Sequence, residues 1–554
     1  MSGAATDLPP PVWQEPGDET LHWKRDLAHF PGQLSELDGE LLQSFIEHGF
    51  SAAMASHSLP FTYLIRRMWT YHYVHEGQLP VPEEDRAAVQ ERGARARERA
   101  RVTIAKRWEQ EWLPEVHEHL AYWAGIDPKE LQLEALIAHL GSTLERSERL
   151  WVVHFEIIVA IITAKRDFVE LYEELFEPAS ALEAQTLLSG FDVLTTRAAR
   201  ALWPLRELVS AGAVRDTLLG VAPRDAWQAL LDEPAASELV EALEAYLNDY
   251  GRRTPYLLFS APSLREYPAP VMSMLRHMVE RPDADPARLL ALQRKKREAA
   301  EGETQARLRF YPAPVREEFE ARLAAAQTAA VLGEDHNYLI DYSATTRVRE
   351  VFLACGAVLA ERGLLERADD VVHLRVAEVR AALRDALTQA DAPSGGADLR
   401  ERVAARKEEL ERFAHLEPPH DVNPPAAEED ADDVASEPEP APADPDSFQG
   451  TAASFGVARG RARVLRSLDS MGELLPGEVL VASTTAQGWT PLFATAAALV
   501  TETGSLVTHA AVVAREYGLP AVVALPRATH MIPDGALVEV DGGTGTVRVL
   551  SRHR

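Results

Sequence analysis

The chain has a single cysteine, Cys355, in 554 residues. A lone thiol excludes an internal disulfide framework and a zinc site built on cysteines, and it suits a reducing compartment. Basic charge is also short: 57 Lys and Arg face 86 Asp and Glu, a formal net charge of −29. Such a balance lacks the basic stripe that nucleic-acid binding requires. Long apolar runs are missing as well. The longest, LWVVHFEIIVAIITA at 150–164, contains His154 and Glu156 and is too short and too polar to span a membrane. The N-terminal MSGAATDLPPPVWQEPGDET has no basic start followed by an apolar core, so no secretory signal is expected. These absences lead to the expectation of a cytoplasmic protein with neither nucleic acid nor membrane as a partner, and no metal site is expected.

Hydrophobic residues make up 46% of the chain, and its length allows two to four domains. Residues 417–446 hold eleven acidic residues, many prolines and no Lys or Arg. Such a segment buries too little apolar surface to fold, and its charges extend it. Residues 416–448 are therefore expected to be an acidic, Pro-rich flexible linker, reaching roughly 100 Å at most. It divides the chain. Residues 1–415 read as predominantly helical, with Ala, Leu, Glu and Arg at helical spacing over 84–120 and 287–332 and few strand signals. Residues 449–554 read as a compact β/α domain, where short apolar runs such as GEVLVAS, AALVT, PAVVAL and ALVEVDG alternate with turns. The expected fold class is thus multidomain: a mainly α-helical domain followed by a C-terminal β/α domain.

Within the second domain, TETGSLVTHAAVVAREYG at 501–518 places a histidine just past a turn. The apolar run before it reads as a buried strand, and Gly504 and Ser505 supply turn chemistry. Thr508 is the expected N-cap, residues 510–517 are strong helix formers, and Gly518 with Pro520 ends the helix. His509 then sits at a helix N-terminus, where unpaired N–H groups and the positive end of the dipole favour an anion. A histidine so placed is most often partly buried and inert. It is also well placed to carry phosphate on its ring, because neutral imidazole is a good nucleophile near neutral pH.

The pieces SFGVARGRARVL (454–465), LPGEVLVASTTAQGWTPLF (475–493), AAALVTETGSLVTHAAVVAREYGLPAVV (496–523) and IPDGALVEVDGGTGTVRVL (532–550) run in one order over almost the whole domain. Together they resemble the phosphohistidine swivelling domain of phosphoenolpyruvate-utilising, dikinase-type phosphotransferases. The resemblance implies that His509 is phosphorylated and carries the group between two active sites. Gly504, Ser505, Thr508 and Arg515 are the groups it places about the phosphoryl oxygens, with Arg515 equally suited to a structural ion pair. This chain departs from the family at Ser505, usually a second glycine, and at Ala486-Gln487, usually Asp-Pro. WKRDLAHFPGQLSEL (23–37), residues 332–374 and RKEELERFAHLEPP (406–419) resemble, more loosely, the substrate domain of rifamycin phosphotransferase and phenylphosphate synthase-like proteins.

Where the rifamycin enzymes carry a basic pair, this chain has GEDHNY, 333–338. His336 beside Asp335 and Glu334, expected in a short loop or at a helix start, forms a candidate catalytic base with its carboxylate partner Asp335. The alternative is that the carboxylates cap a helix and His336 is solvated. His154 and Tyr338 are candidates to line an acceptor pocket, and Arg347 and Arg349 to steady a phosphoryl group. The competing readings are a core histidine and ordinary Arg–Glu pairs. His22, His29, His72 and His75 add aromatic and basic surface near the entry motif.

No glycine-rich phosphate loop with a lysine and paired metal-binding carboxylates precedes the linker. The expectation is therefore a separate ATP-grasp subunit that binds ATP and Mg²⁺ and charges His509. The acceptor expected from the resemblance is a small phenol or alcohol, with ATP going to AMP and phosphate, as in phenol phosphorylation for aromatic degradation. Two other readings stand beside it: a rifamycin-type antibiotic phosphotransferase, and a non-catalytic phosphorelay or ligand-binding protein.

Overall fold

A computed structural model describes residues 8–27, 29–177, 180–209, 212–254, 256–282, 284–388, 396–416, 418–424, 446–466, 474–485, 489–493, 495–506 and 508–552. The chain forms two compact units, Met1–Ala160 with Leu257–Ala261 and Leu339–Glu429, and Ile161–Tyr256 with Pro262–Tyr338 and Asp430–Arg554. Among the described residues no helix is long and apolar enough to cross a membrane.

In the first unit, the helix Glu36–Ser56 opens on a capping box in which Ser35 and Asp38 satisfy each other's backbone N–H. It packs Leu37, Leu41 and Phe45 against Val348, Val351, Phe352 and Cys355 of the helix Thr345–Glu361. Burial pushes the Cys355 thiol up to about 12, so this sulfur is a core atom rather than a nucleophile. Strands β1 (Trp23–Arg25), β2 (Phe61–Met68), β3 (Tyr71–Gln78) and β4 (Asp421–Val422) form an antiparallel sheet in the order β2-β3-β1-β4. The sequence reading expected little strand in this part of the chain. Sheet pairing here joins segments far apart in sequence, which no local pattern reports.

The second unit contains two helical cores and a sheet. Leu202, Leu218, Leu243 and Leu275 centre one core, and Phe168, Tyr172, Phe176 and Phe319 cluster in the other. The remaining strands are β5 (Ser447–Gln449), β6 (Thr451–Ser454), β7 (Val457–Leu465), β8 (Val479–Ala482), β9 (Ala498–Thr501), β10 (Ala521–Val523), β11 (Leu537–Asp541) and β12 (Thr546–Ser551). They pair in the order β5-β12-β11-β7-β8-β9-β10-β6, with β7 to β10 parallel and the flanks antiparallel. β8 and β9 are buried at every position, as parallel strands covered on both faces must be. Leu480, Ala482 and Leu499 face the helix His509–Tyr517 together with Trp489 and Phe493, while Val479, Val481 and Val500 face Ile532 and Val538. The expected mainly helical region and C-terminal β/α region are both present.

The ends of the expected linker belong to the fold. Val422 pairs with Trp23, and Phe448 pairs with Val547. An apolar residue at each end of an acidic run finds a strand partner that the composition of the run conceals. Residues 425–445 lie outside the described residues, as do Ala486 and Gln487.

Candidate active site

The turn before the central histidine is built by local chemistry. β9 ends at Thr501, whose hydroxyl donates to the Thr503 carbonyl at 2.8 Å. Gly504 adopts φ +127°, where a Cβ would also meet the Thr508 hydroxyl at 3.1 Å. Thr508 occupies the N-cap position, yet its hydroxyl turns back, donating to the Ser505 carbonyl at 2.8 Å and accepting from the Ser505 N–H at 3.3 Å. It closes the turn rather than capping the helix N–H groups, at the end of the helix where the dipole favours an anion. His509 is the first residue of a nine-residue helix that ends at Gly518 in the left-handed conformation, φ 64°. Position, turn and helix agree with the sequence reading.

What His509 faces was not selected from sequence. Its Nδ1 lies 3.4 Å from Oε2 of Glu334, in the last turn of the helix Ala313–His336. Glu334 is 5% exposed, and Thr195 donates its hydroxyl to the same oxygen at 3.4 Å. Burial works to raise this carboxyl's pKa, but His509 and then Lys165 outweigh it and hold it below the usual range. An ionised carboxylate against Nδ1 favours the tautomer with the proton on that nitrogen, which leaves the lone pair on Nε2. Beside Glu334 a small cavity of about 10 Å³ is lined by Phe191, Val193, Thr195, Val513, Glu516 and Tyr517.

The other expected site residues have different employment. Arg515 donates to the carbonyls of Ala453 at 2.9 Å and Leu506 at 2.8 Å. It braces the turn and β6. Burial brings its pKa down to about 10. Asp335 and His336 are not in a loop or at a helix start, because the helix carries them in its final turn. Asp335 accepts from the Leu194 N–H at 2.8 Å and so caps the helix Leu194–Leu202 from a distance. Burial raises its carboxyl to about 6. His336 is 1% exposed, with Nδ1 2.5 Å from the Leu332 carbonyl one turn earlier. Tyr338 lies under the Arg253 guanidinium at 5.3 Å, and burial raises its phenol.

In the first unit, His154 pairs with Asp341 at 2.8 Å and packs on Trp151 and Phe155. Arg347 pairs with Glu350 at 3.0 Å, and Arg349 is buried with its guanidinium on the carbonyls of Phe259 and Ser260. His72 is fully buried against Phe30, and His22 pairs with Asp421 at 2.8 Å.

Glu516, on the histidine's own helix, accepts the Gly190 N–H at 2.8 and 3.0 Å. Burial pushes its carboxyl up to about 7, opposed by Gly190, Arg515 and Arg297 and assisted by Glu334. A pKa raised in the folded state gives stability that is complete below the ordinary value of 4.5 and lost as pH rises through about 7. Stability to unfolding, followed by denaturant titration, is expected to fall between about pH 4.5 and 7 as this buried carboxyl is forced to ionise. Glu516→Gln should flatten that fall, and an unchanged slope in the variant would contradict the assignment.

The arrangement defines a histidine on a β/α domain whose imidazole meets an ionised carboxylate on a helical domain. Residues 474–545 match the PEP-utilising enzyme mobile domain, and residues 153–334 match the rifampicin phosphotransferase fourth domain. The chain therefore carries domains of the phosphoenolpyruvate-utilising enzyme family. It is 36% identical over 98% of its length to chondramide synthase cmdD of Chondromyces crocatus, covering 14% of that protein. It is 29% identical over 75% of its length to a rifampicin phosphotransferase of Streptomyces sviceus, covering 47% of it. It is 32% identical over 43% of its length to the uncharacterized phosphotransferase YvkC of Bacillus subtilis, covering 28% of it. The chain thus spans less than half the length of each of these relatives.

Proposed function

We propose that this chain is the carrier and acceptor part of a dikinase-type phosphotransferase, with His509 as its phosphohistidine. The observation that carries the reading is the pairing of His509, at the start of its helix, with buried Glu334 at 3.4 Å. Phosphoryl comes from ATP bound with Mg²⁺ on an ATP-grasp subunit. Nε2 attacks the β-phosphorus of ATP as its bond to the AMP oxygen breaks, water cleaves the γ-phosphate from the resulting pyrophosphohistidine as inorganic phosphate, and the remaining phosphoryl group rides on the β/α domain. At the acceptor side a hydroxyl oxygen bonds to phosphorus as the P–N bond breaks, its electron pair returning to Nε2. Such transfers pass through a loose transition state in which position matters more than a strong base, so the hydroxyl proton passes to water.

The aromatic rings of Phe191 and Tyr517 beside Glu334 favour a small phenol or alcohol as acceptor, although the cavity they line, about 10 Å³, holds only about one water and must open to admit it. The similarity to rifampicin phosphotransferase favours a second reading, a larger antibiotic alcohol. One experiment separates them: the chain with an ATP-grasp protein, ATP and magnesium, screened against phenols, simple alcohols and rifampicin for AMP formation. AMP released only with phenols or small alcohols supports the first reading, and only with rifampicin the second. No acceptor-dependent AMP with any panel member, despite charged His509, would favour a relay instead of an enzyme.

A further inference from the structure

Lys165 belongs to the helix Leu133–Phe176 and is 8% exposed. Among the described residues its ammonium makes neither a hydrogen bond nor an ion pair within 4 Å. Removing a cation from water without a partner is costly, so a lysine left this way waits for an anion. Burial, with Arg515 adding to it and Glu334 opposing, lowers its pKa to about 8.

Its surroundings indicate which anion. A side chain at position 333 would begin 3.4 Å from Nζ, so Gly333 leaves the lysine room at the helix turn that bears Glu334. Glu334 in turn faces His509 at 3.4 Å. A phosphoryl group on Nε2 of His509 adds roughly two negative charges to a site that already holds that carboxylate on Nδ1. Arg515 already donates to two carbonyls. Among the described residues, Lys165 keeps its donors uncommitted at this site.

We propose that Lys165 binds the phosphoryl group that His509 brings to this site, its ammonium donating to the phosphoryl oxygens while Glu334 stays on the ring nitrogen. The proposal rests on His509 as the carrier, and two arms keep the two ideas apart. In the first, inorganic phosphate is titrated into the full chain and followed by ³¹P NMR. Lys165→Met should weaken binding by about tenfold or more, and Lys165→Arg should stay within about threefold of the parent. Equal affinity in the Met variant, or no binding to the parent chain, overturns the proposal. In the second, His509 is phosphorylated chemically with phosphoramidate, without any partner, and the lifetime of the phosphohistidine is compared in the same variants. A lifetime changed by Met and restored by Arg supports the contact, and one that is unchanged counts against it. Lys165-dependent phosphate binding with no phosphohistidine at His509 would leave the anion site standing and remove the carrier reading.

Discussion

His509→Ala is expected to abolish phosphoryl transfer to the acceptor while leaving the fold intact. The side chain is small in the energetics of packing: the helix His509–Tyr517 is held by Ala510, Ala511, Val513 and Ala514 in the sheet core. Its loss removes the only nucleophile proposed for the first half-reaction, so the effect is elimination of turnover rather than a modest slowing. The measurement is acceptor phosphorylation with the ATP-grasp protein present, alongside circular dichroism. Turnover that survives in a folded variant would show that phosphoryl passes directly from ATP to the hydroxyl.

Glu334→Gln should divide the reaction. In the proposed reaction charging takes place at the donor's site, away from this carboxylate, so labelling of His509 should proceed at the parental rate. Transfer to the acceptor should slow by roughly 10²–10⁴-fold, because an amide at this place neither holds the imidazole tautomer nor balances its charge. Single-turnover kinetics with pre-charged protein reads the second step alone. Parental transfer by the variant would return Glu334 to a structural pairing. A parallel His336→Ala variant tests the base expected from sequence, for which a loss of similar size would restore that role.

The histidine was legible because everything that places it is contiguous: a buried strand, a glycine at positive φ, a hydroxyl residue and a short helix. Its surroundings were not legible. Lys165 and Thr195 are brought to Glu334 by tertiary packing, and only Lys165 left a trace, a cation directly after an apolar helical run. The run GEDHNY drew attention to this turn, but not to the direction each of its side chains takes. The three side chains of 334–336 point different ways from one helix, to His509, to the Leu194 N–H and back to the Leu332 carbonyl.

The four-stranded sheet was hidden for two reasons. β1 has three residues and pairs with β4 near the far end of its unit. The hairpin between β2 and β3 turns on Trp69 and Thr70, both at positive φ (48° and 70°), without the glycine or asparagine that marks such turns.

The central claim is that phosphate travels covalently on His509, and a chase experiment tests it most directly. The chain is charged with [β-³²P]ATP by the ATP-grasp protein, separated from donor and nucleotide, and then given the acceptor. The account predicts acid-labile label on the peptide containing His509, which moves into the phosphorylated product when the acceptor is added. Label on another residue, or a charged chain whose label never reaches any acceptor that supports steady-state turnover, would contradict it.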